Sequence, residues 1–391
     1  MKGKGKMNKN IKRLIAIGTL TGIIEIYRDT FSTARMYEMA GNSIQTISIY
    51  YMVEYFCIVM TFLLLGSKIK AFPMKALRIG IILNLALLTA IMLFDDDIMR
   101  YYIPFAIVVG VAMGTYYSPF AVLVGIYNDN AIRYCTISKI FNDIVSMVFP
   151  VTIGVYINNT SFISVTICIM VVSVIQIVIS LGIENVVVTE TKCDIINFLK
   201  YVKSAKNGKK IFNYYKIGFF NGIVSSVLDR TVLLLIMMVF GSSMQLGILN
   251  TLFAIFSIFT TWLIKKYYKG KKSKTIIAIS AVMPLIAVMV LFVRTSTSTV
   301  IFYRVINSVF ICILSMMTNI ERYDCLDEDM KKVFVAEHQA MAEVTLGIGR
   351  IFGLLILLIM SIVIGGLYAI MIMLIIISFS IIAYAWLIAK Q

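Results

Sequence analysis

Twelve apolar runs, each long enough to cross a bilayer, follow one another along this chain with short polar breaks between them. They fall near residues 14–36, 43–66, 76–94, 101–126, 134–157, 162–183, 216–239, 243–264, 275–293, 299–319, 335–363 and 367–389. A membrane-spanning helix needs roughly 20 apolar residues. Twelve of them use most of the 391 residues and leave no room for a sizeable soluble domain. The composition agrees: 60% of residues are hydrophobic and 14% charged, against about 45–50% and about 25% in soluble domains. The predicted class is an all-α integral membrane protein. Lys2 to Arg13 followed by Leu14–Ile24 has the outline of a signal peptide. The apolar run, however, continues into Glu25, Tyr27, Arg28 and Asp29 with no small-residue cleavage pattern, so it is expected to stay as the first spanning helix. None of the six cysteines forms a C-x-x-C pair, and ordinary reduced thiols are expected.

The net charge of +16 is explained by where the lysines and arginines sit. With the amino terminus in the cytoplasm, the inside segments carry Lys2 to Arg13, Lys68, Lys70, Lys75, Arg78, Arg133, the lysines of residues 192–216, Lys265 to Lys274, Arg322, Lys331, Lys332 and Lys390. The outside segments hold Arg100 and Arg294, with Arg35 at a boundary, beside the acidic run Asp95–Asp97. This is the positive-inside pattern, and it places both termini in the cytoplasm. It also accounts for the basic charge without nucleic acid as a partner. The longest break, 184–215, separates the units 1–183 and 216–391. Within it Ile195, Ile196, Leu199 and Val202 follow helical spacing, with Lys200, Lys203 and Lys206 on another face. That pattern predicts a helix on the inner membrane surface, with its lysines near anionic lipid.

The two units echo each other at an offset of 200 residues. Ile17-Gly18-x-x-x-Gly22-Ile23 is matched by Ile217-Gly218-x-x-x-Gly222-Ile223, and Asp29, Gly41, Ser43 and Gln45 by Asp229, Gly241, Ser243 and Gln245. Asp143 meets Glu343 at the same offset. Two parallel six-helix repeats, 12 transmembrane helices in all, are therefore expected. An ionisable group inside a bilayer faces a cavity or a partner, because exposure to lipid costs at least ~2.5 kcal/mol. Spans 1, 2, 5, 7, 10 and 11 carry such groups well inside; spans 3, 4, 6, 8, 9 and 12 do not.

The repeat and two basic loops, Gly66 to Arg78 after span 2 and Lys265 to Lys274 after span 8, resemble those of the major facilitator superfamily (MFS) over essentially the full chain. Span 11, Ala342-Glu343-Val-Thr-Leu-Gly347-Ile-Gly349-Arg350-Ile-Phe-Gly353, is similar to the eleventh helix of uncharacterised permeases of low-GC Gram-positive bacteria. The resemblance implies a bacterial cytoplasmic-membrane transporter, acting as a monomer, with its substrate site between the two halves near the midplane and the third helix of each triplet (spans 3, 6, 9 and 12) on the periphery. None of those four spans carries a charged group well inside it. Two departures stand out. Lys70 occupies the region where the loop 2–3 signature wants an aspartate. The antiporter signature of span 5 survives only as Pro150 and Gly154, with Val145 and Phe149 at glycine positions.

The candidate site residues follow from charge within the spans. Glu25 and Asp29 share a helix face, with Arg28 three residues from Glu25. A carboxylate that loses and regains an arginine neighbour changes its proton affinity, which is a route to proton coupling. The bland alternative is a static salt bridge. Asp229 and Arg230 point about 100° apart and are expected to pair with other helices. Glu54 lies among Tyr50, Tyr51 and Tyr55, whose hydroxyls are candidates to satisfy it. Lys139 and Asp143, four apart, form a candidate self-paired couple. Glu343 and Arg350, seven apart, share a face, and Arg304 lies in the outer half of span 10. The proton-coupling candidates are thus Glu25, Asp29, Asp229, Glu54, Asp143 and Glu343. The substrate or charge-pair candidates are Arg28, Arg230, Arg304 and Arg350. His338, the only histidine, is expected to be solvated at the inner end of span 11, and the paired glycines to serve helix packing.

No cofactor, metal or enzymatic activity is implied. Gly270-Lys-Lys-Ser273 lacks the upstream glycine of a phosphate loop, and no zinc-protease or serine-elbow motif occurs. Asp324, Asp327, Glu328 and Asp329 have no second aspartate motif to complete a transferase site. The expected function is secondary active transport of a small amphipathic or partly anionic solute by alternating access, as proton-coupled efflux. Proton-coupled uptake and a non-transporting accessory protein of the same fold are the alternatives.

Overall fold

The structure, a computed structural model, describes residues 8–94, 100–128, 130–185, 192–240, 243–267 and 274–390. The side chains of residues 226, 229, 239–240, 243–247, 261–267, 328–329 and 332 lie outside that description. The loop Gly270–Ser273 and the acidic run 95–97 also lie outside it.

The described residues form helices and no strands: α1 Lys9–Ile26, α2 Thr33–Met39, α3 Ile44–Ala71, α4 Pro73–Leu93, α5 Tyr102–Tyr127, α6 Ala131–Asn159, α7 Phe162–Leu181, α8 Ile195–Ser204, α9 Gly208–Phe240, α10 Ser243–Tyr267, α11 Lys274–Val293, α12 Thr297–Asp324, α13 Glu328–Val363 and α14 Gly366–Ala389. Local chemistry explains most boundaries. Asn8, Ser43, Asn130, Ser161, Asp194 and Asp327 each cap a helix by accepting a backbone N–H, and Ser296 closes a capping box with Thr299. Pro73 opens α4, where its missing N–H costs nothing. The turn between α2 and α3 needs positive φ at Gly41 (64°) and Asn42 (61°).

Ten of these helices, among the described residues, are long and apolar enough to cross a membrane, so the protein is multi-pass. The two expected spans outside that set are the first and the eighth. The first is broken into α1, a six-residue π-helical stretch Tyr27–Ser32, and α2, and it carries charges along its length. In the eighth, the described apolar portion of α10 is Ile248–Thr260.

Helices α1, α3, α4, α5, α6 and α7 pack with one another, as do α9 to α14. The two groups meet chiefly through α3 against α13 and α6 against α10, with α5–α13 and α6–α12 contacts alongside. Close approach inside each group rests on glycine. A Cβ on Gly222 meets the backbone of α13 at Arg350 N (3.0 Å) and Gly349 Cα (3.1 Å), and one on Gly80 meets the α5 backbone at Thr115 O, 2.7 Å away. The large exposed apolar side chains of α4, α7 and α11, such as Ile82, Val178 and Phe292, face outward as lipid requires.

At one end of the bundle the basic segments converge. Arg13 donates to Gly182 O, Asn10 to Glu184, Arg78 to Ser180 O, and Lys210 pairs with Glu321. The helix expected in the central break forms as α8. Phe198 and Val202 are buried against Phe334 and the His338 ring, while Ile196 is 69% exposed. Apolar side chains of α8 dock it on α9 and α13.

Candidate functional site

The main cavity, about 820 Å³, lies between the two groups of helices. Its walls come from α1 and the π-helical stretch, α3, α5, α6, α9, α10, α12 and α13; α4, α7, α11 and α14 contribute nothing. Those four are the spans expected on the periphery. The other two charge-free spans, in α5 and α10, do line the cavity, through uncharged residues such as Tyr117, Phe120, Asn250 and Ser257. Freedom from charge is therefore necessary for a lipid-facing helix and not sufficient to identify one.

All the candidate residues with described side chains line this cavity: Glu25, Arg28, Asp29, Glu54, Asp143, Arg230, Arg304, Glu343 and Arg350. The side chain of Asp229 lies outside the described residues. The π-helical stretch widens the backbone of the first span where Arg28 and Asp29 sit, a local feature often found at functional sites. Within this stretch Arg28 makes its direct bond to Asp29 and not to Glu25. Arg28 Nε binds its neighbour Asp29 at 2.8 Å, and Glu25 instead accepts the hydroxyl of Tyr117.

Asp29 is also the bridge between the halves. Arg230 Nη2 lies 3.0 Å from Asp29 Oδ2, and Arg230 Nη1 donates to the Asp29 backbone carbonyl at 2.8 Å. Arg230 stacks over the ring of Tyr51, 4.0 Å from its centroid, and Arg350 over Tyr55 at 4.9 Å. Between those two tyrosines sits Glu54, 2% exposed. The expected tyrosine bond is not made: the Tyr51 hydroxyl pairs with Thr33, and Glu54 Oε2 has no hydrogen-bond partner among the described residues.

Two pairs read from helical spacing form as expected. Lys139 binds Asp143 and also reaches Ser257 of α10 at 3.2 Å. Arg350 donates to Glu343 at 3.0 Å. Arg322, which the charge pattern assigned to a loop, lies 3.9 Å from Glu343 and donates to Gln339 at 2.6 Å. Arg304 lies over the ring of Phe253. His338 corrects another expectation. It is fully buried rather than solvated, bonded to the Tyr215 hydroxyl at 2.9 Å and to the Arg322 carbonyl at 3.0 Å. The cover supplied by α8 and α9 was not visible from its position near a helix end.

Residues that charge patterning missed hold the basic end together. Lys70 Nζ lies 2.6 Å from Glu337 Oε1, both almost completely buried, and also reaches Lys192 O at 3.3 Å. The Asp194 amide donates to the same Glu337 oxygen at 3.3 Å, and the Cys193 amide to Ser67 Oγ at 3.1 Å. The segment 192–194 is thereby pinned between α3 and α13. The only signal available in sequence was that Lys70 stood where a carboxylate was wanted. No group of three or more potential metal ligands occurs among the described residues.

No protein-family model and no curated protein matches the sequence. Solved structures do match the fold. The human organic anion transporter MFSD10 (TETRAN) aligns over 98% of this chain and 100% of its own, with a TM-score of 0.73 and 8% identity. A POT family transporter in complex with 5-aminolevulinic acid aligns over 100% of this chain and 97% of its own, with a TM-score of 0.68 and 12% identity. A POT family transporter in complex with a thioalcohol-conjugated peptide gives 0.67 at 13% identity, over 97% of this chain and 95% of its own. The chain has the fold of MFS- and POT-type transporters. At these identities the likeness establishes architecture, and the candidate site has to be argued from its own chemistry.

Proposed function

We propose that the protein is a secondary active transporter of the bacterial cytoplasmic membrane, with both termini in the cytoplasm. Residues 1–183 and 216–391 act as two parallel six-helix units that rock about the cavity, and 184–215 joins them. The carrying observation is the cavity between the units, whose walls collect the buried charges of both and join them through Asp29 and Arg230. Ionisable groups inside a membrane mark substrate or proton pathways. The solute is small and amphipathic or partly anionic, and the working direction is efflux driven by protons. Glu25, Asp29, Asp229, Glu54, Asp143 and Glu343 are the groups assigned to proton movement. Arg28, Arg230, Arg304 and Arg350 serve charge pairing and solute contact. One structural neighbour is an organic anion transporter, which supports the anionic component. The transporter fold shared with all three neighbours supports transport over catalysis.

The test is solute-dependent proton flux in proteoliposomes, comparing wild type with Asp29→Asn and Asp229→Asn. Loss of coupling in either variant supports the assignment, and wild-type coupling in both removes the two residues from the mechanism. Flux in the opposite direction selects uptake. A protein whose engineered cavity cysteines never change the side from which they are labelled is a non-transporting accessory protein.

A further inference from the structure

The basic end of the cavity is shut by contacts that cross from one half to the other. Lys70 of α3 binds Glu337 of α13, the rings of Tyr134 on α6 and Tyr323 on α12 meet with centroids 5.7 Å apart, and Cys135 Sγ donates to Asn319 O at 3.5 Å. Val335 of α13 packs against Gly125 of α5 so closely that a Cβ there would strike it. A further contact at this seam comes from neither bundle of helices. It is made by the joining segment, residues 192–204.

The segment is anchored on the carboxy-terminal half. Asp194 caps α8 by accepting the Asn197 amide at 2.9 Å, and α8 buries Phe198 and Val202 against α9 and α13. Phe198 and Tyr201 pack on the ring of Phe334, with centroids 5.5 and 5.1 Å away. At Phe334 α13 leaves helical geometry (φ −116°, ψ 15°), and Glu337 lies in the first turn beyond that kink. From this anchor, residues 192–194 reach over the seam to α3. The Cys193 amide donates to Ser67 Oγ at 3.1 Å, the Cys193 sulfur lies beside Gly66, and Lys70 Nζ donates to Lys192 O at 3.3 Å. The Asp194 amide donates to Glu337 Oε1 at 3.3 Å. The segment thus touches both members of the Lys70–Glu337 pair, whose side chains are 3% and 1% exposed.

We propose that residues 192–204 are a strap that holds the basic end closed, and that its release from α3 sets how often that end opens. The strap rests on the reading of two halves that rock about the cavity. Opening this end carries α3 away from α13, so Lys70 has to leave Glu337. A buried ion stripped of its partner is strongly unfavourable, whereas a pair that water reaches separates at little cost. Lys192 O and the Asp194 amide supply the pair with polar contacts that water would otherwise supply, so the pair stays dry while 192–194 grip α3. Because α8 is docked on α13, the same grip also resists the movement directly. Letting go of Gly66 and Ser67 removes both restraints together.

The strap can be locked and loosened without altering the ion pair. A Cβ on Gly66 lies 3.5 Å from Cys193 Cβ, within the about 3.5–4.5 Å that a disulfide takes. Gly66→Cys therefore ties the native Cys193 to α3 on oxidation and frees it on reduction. Ser67→Ala loosens the strap at α3, and Phe198→Ala loosens it at its anchor. Single-molecule energy transfer on the full chain in nanodiscs reads the opening, with dyes attached through p-acetylphenylalanine in place of the exposed Lys75 and Lys274, at the basic end of opposite halves. Ser67→Ala and Phe198→Ala are each expected to raise the wide-separation fraction about threefold or more. Oxidised Gly66→Cys is expected to lose that fraction and dithiothreitol to restore it, a reversal that general loss of folding does not produce. An unchanged fraction in both loosening variants overturns the strap, as does an oxidised variant that opens like its reduced form, or failure of the disulfide to form. If Gly66→Cys does not fold, the two loosening variants decide alone. Wide and narrow states that interconvert equally in every variant keep the rocking halves and remove the strap. A single separation in wild type and in all variants removes the rocking halves, and the strap with them.

Discussion

Arg230 of α9 grips Asp29 twice, through a carboxylate oxygen at 3.0 Å and through the backbone carbonyl at 2.8 Å. The second bond survives any change to the Asp29 side chain, so the two contacts can be separated. Asp29→Asn leaves Arg28 and Arg230 facing each other without a carboxylate. Removing one member of a buried pair costs ~3–5 kcal/mol, and the partly exposed position of Asp29 reduces this to about 1–3 kcal/mol. Thermal unfolding in detergent is expected to show that loss. Arg230→Gln, which removes both contacts and the stacking on Tyr51, is expected to lose more.

Lys70 and Glu337 make a cleaner case, because almost nothing of either side chain is exposed. Glu337→Gln strands a buried ammonium and is expected to destabilise the protein by ~3–5 kcal/mol. The double variant Lys70→Met with Glu337→Leu replaces the pair by apolar groups of similar size and is expected to recover most of that loss. A double variant as unstable as the single one shows that the ion pair contributes net stability here.

Cys193 tests whether the segment 192–194 stays pinned. Burial, reinforced by the Glu337 charge, pushes its thiol up to about 11. The thiolate is the reactive form, so alkylation at pH 7 is expected to be slow and to rise with pH well past 9. Lys70→Met removes a cation that favours the thiolate and also frees the segment. Faster maleimide labelling in that variant identifies release of the segment as the dominant effect; slower labelling identifies the lost charge.

The glycines divide into two classes that substitution separates. Gly222→Ala and Gly80→Ala drive a Cβ into backbone atoms, which cannot move aside, and are expected to abolish correctly folded protein. Gly22→Ala meets only the Asn142 and Val145 side chains at 3.7 and 3.8 Å, an ordinary contact. It is expected to be tolerated within about 1 kcal/mol. Yield of monodisperse protein in size-exclusion chromatography reads both.

The helical class, the lipid-facing faces and the pairs along a single helix were legible in the sequence. Lys139 with Asp143 and Glu343 with Arg350 are four and seven residues apart, separations that the geometry of one helix brings to the same face. The 200-residue repeat placed Asp29 opposite Asp229 as equivalent positions. The contact that forms is between Asp29 and the next residue, Arg230. A repeat relates positions by symmetry, and which of two adjacent side chains crosses the cavity depends on how the two halves are rotated against each other.

Hydrophobic length and charge placement are local properties, set by what each stretch can leave against lipid or water. They determined by themselves that this chain is helical, crosses the membrane many times, and keeps charged groups out of the middle of α4, α7, α11 and α14. Only the tertiary structure decided which buried charges meet. Asp29 and Arg230 lie 201 residues apart, and Lys70 and Glu337 267 apart. It also decided that α8 packs over His338, and that Glu54 keeps an oxygen with no hydrogen-bond partner among the described residues. Pairing across a cavity requires two surfaces to be docked at ångström precision, and no periodicity within either surface contains that information.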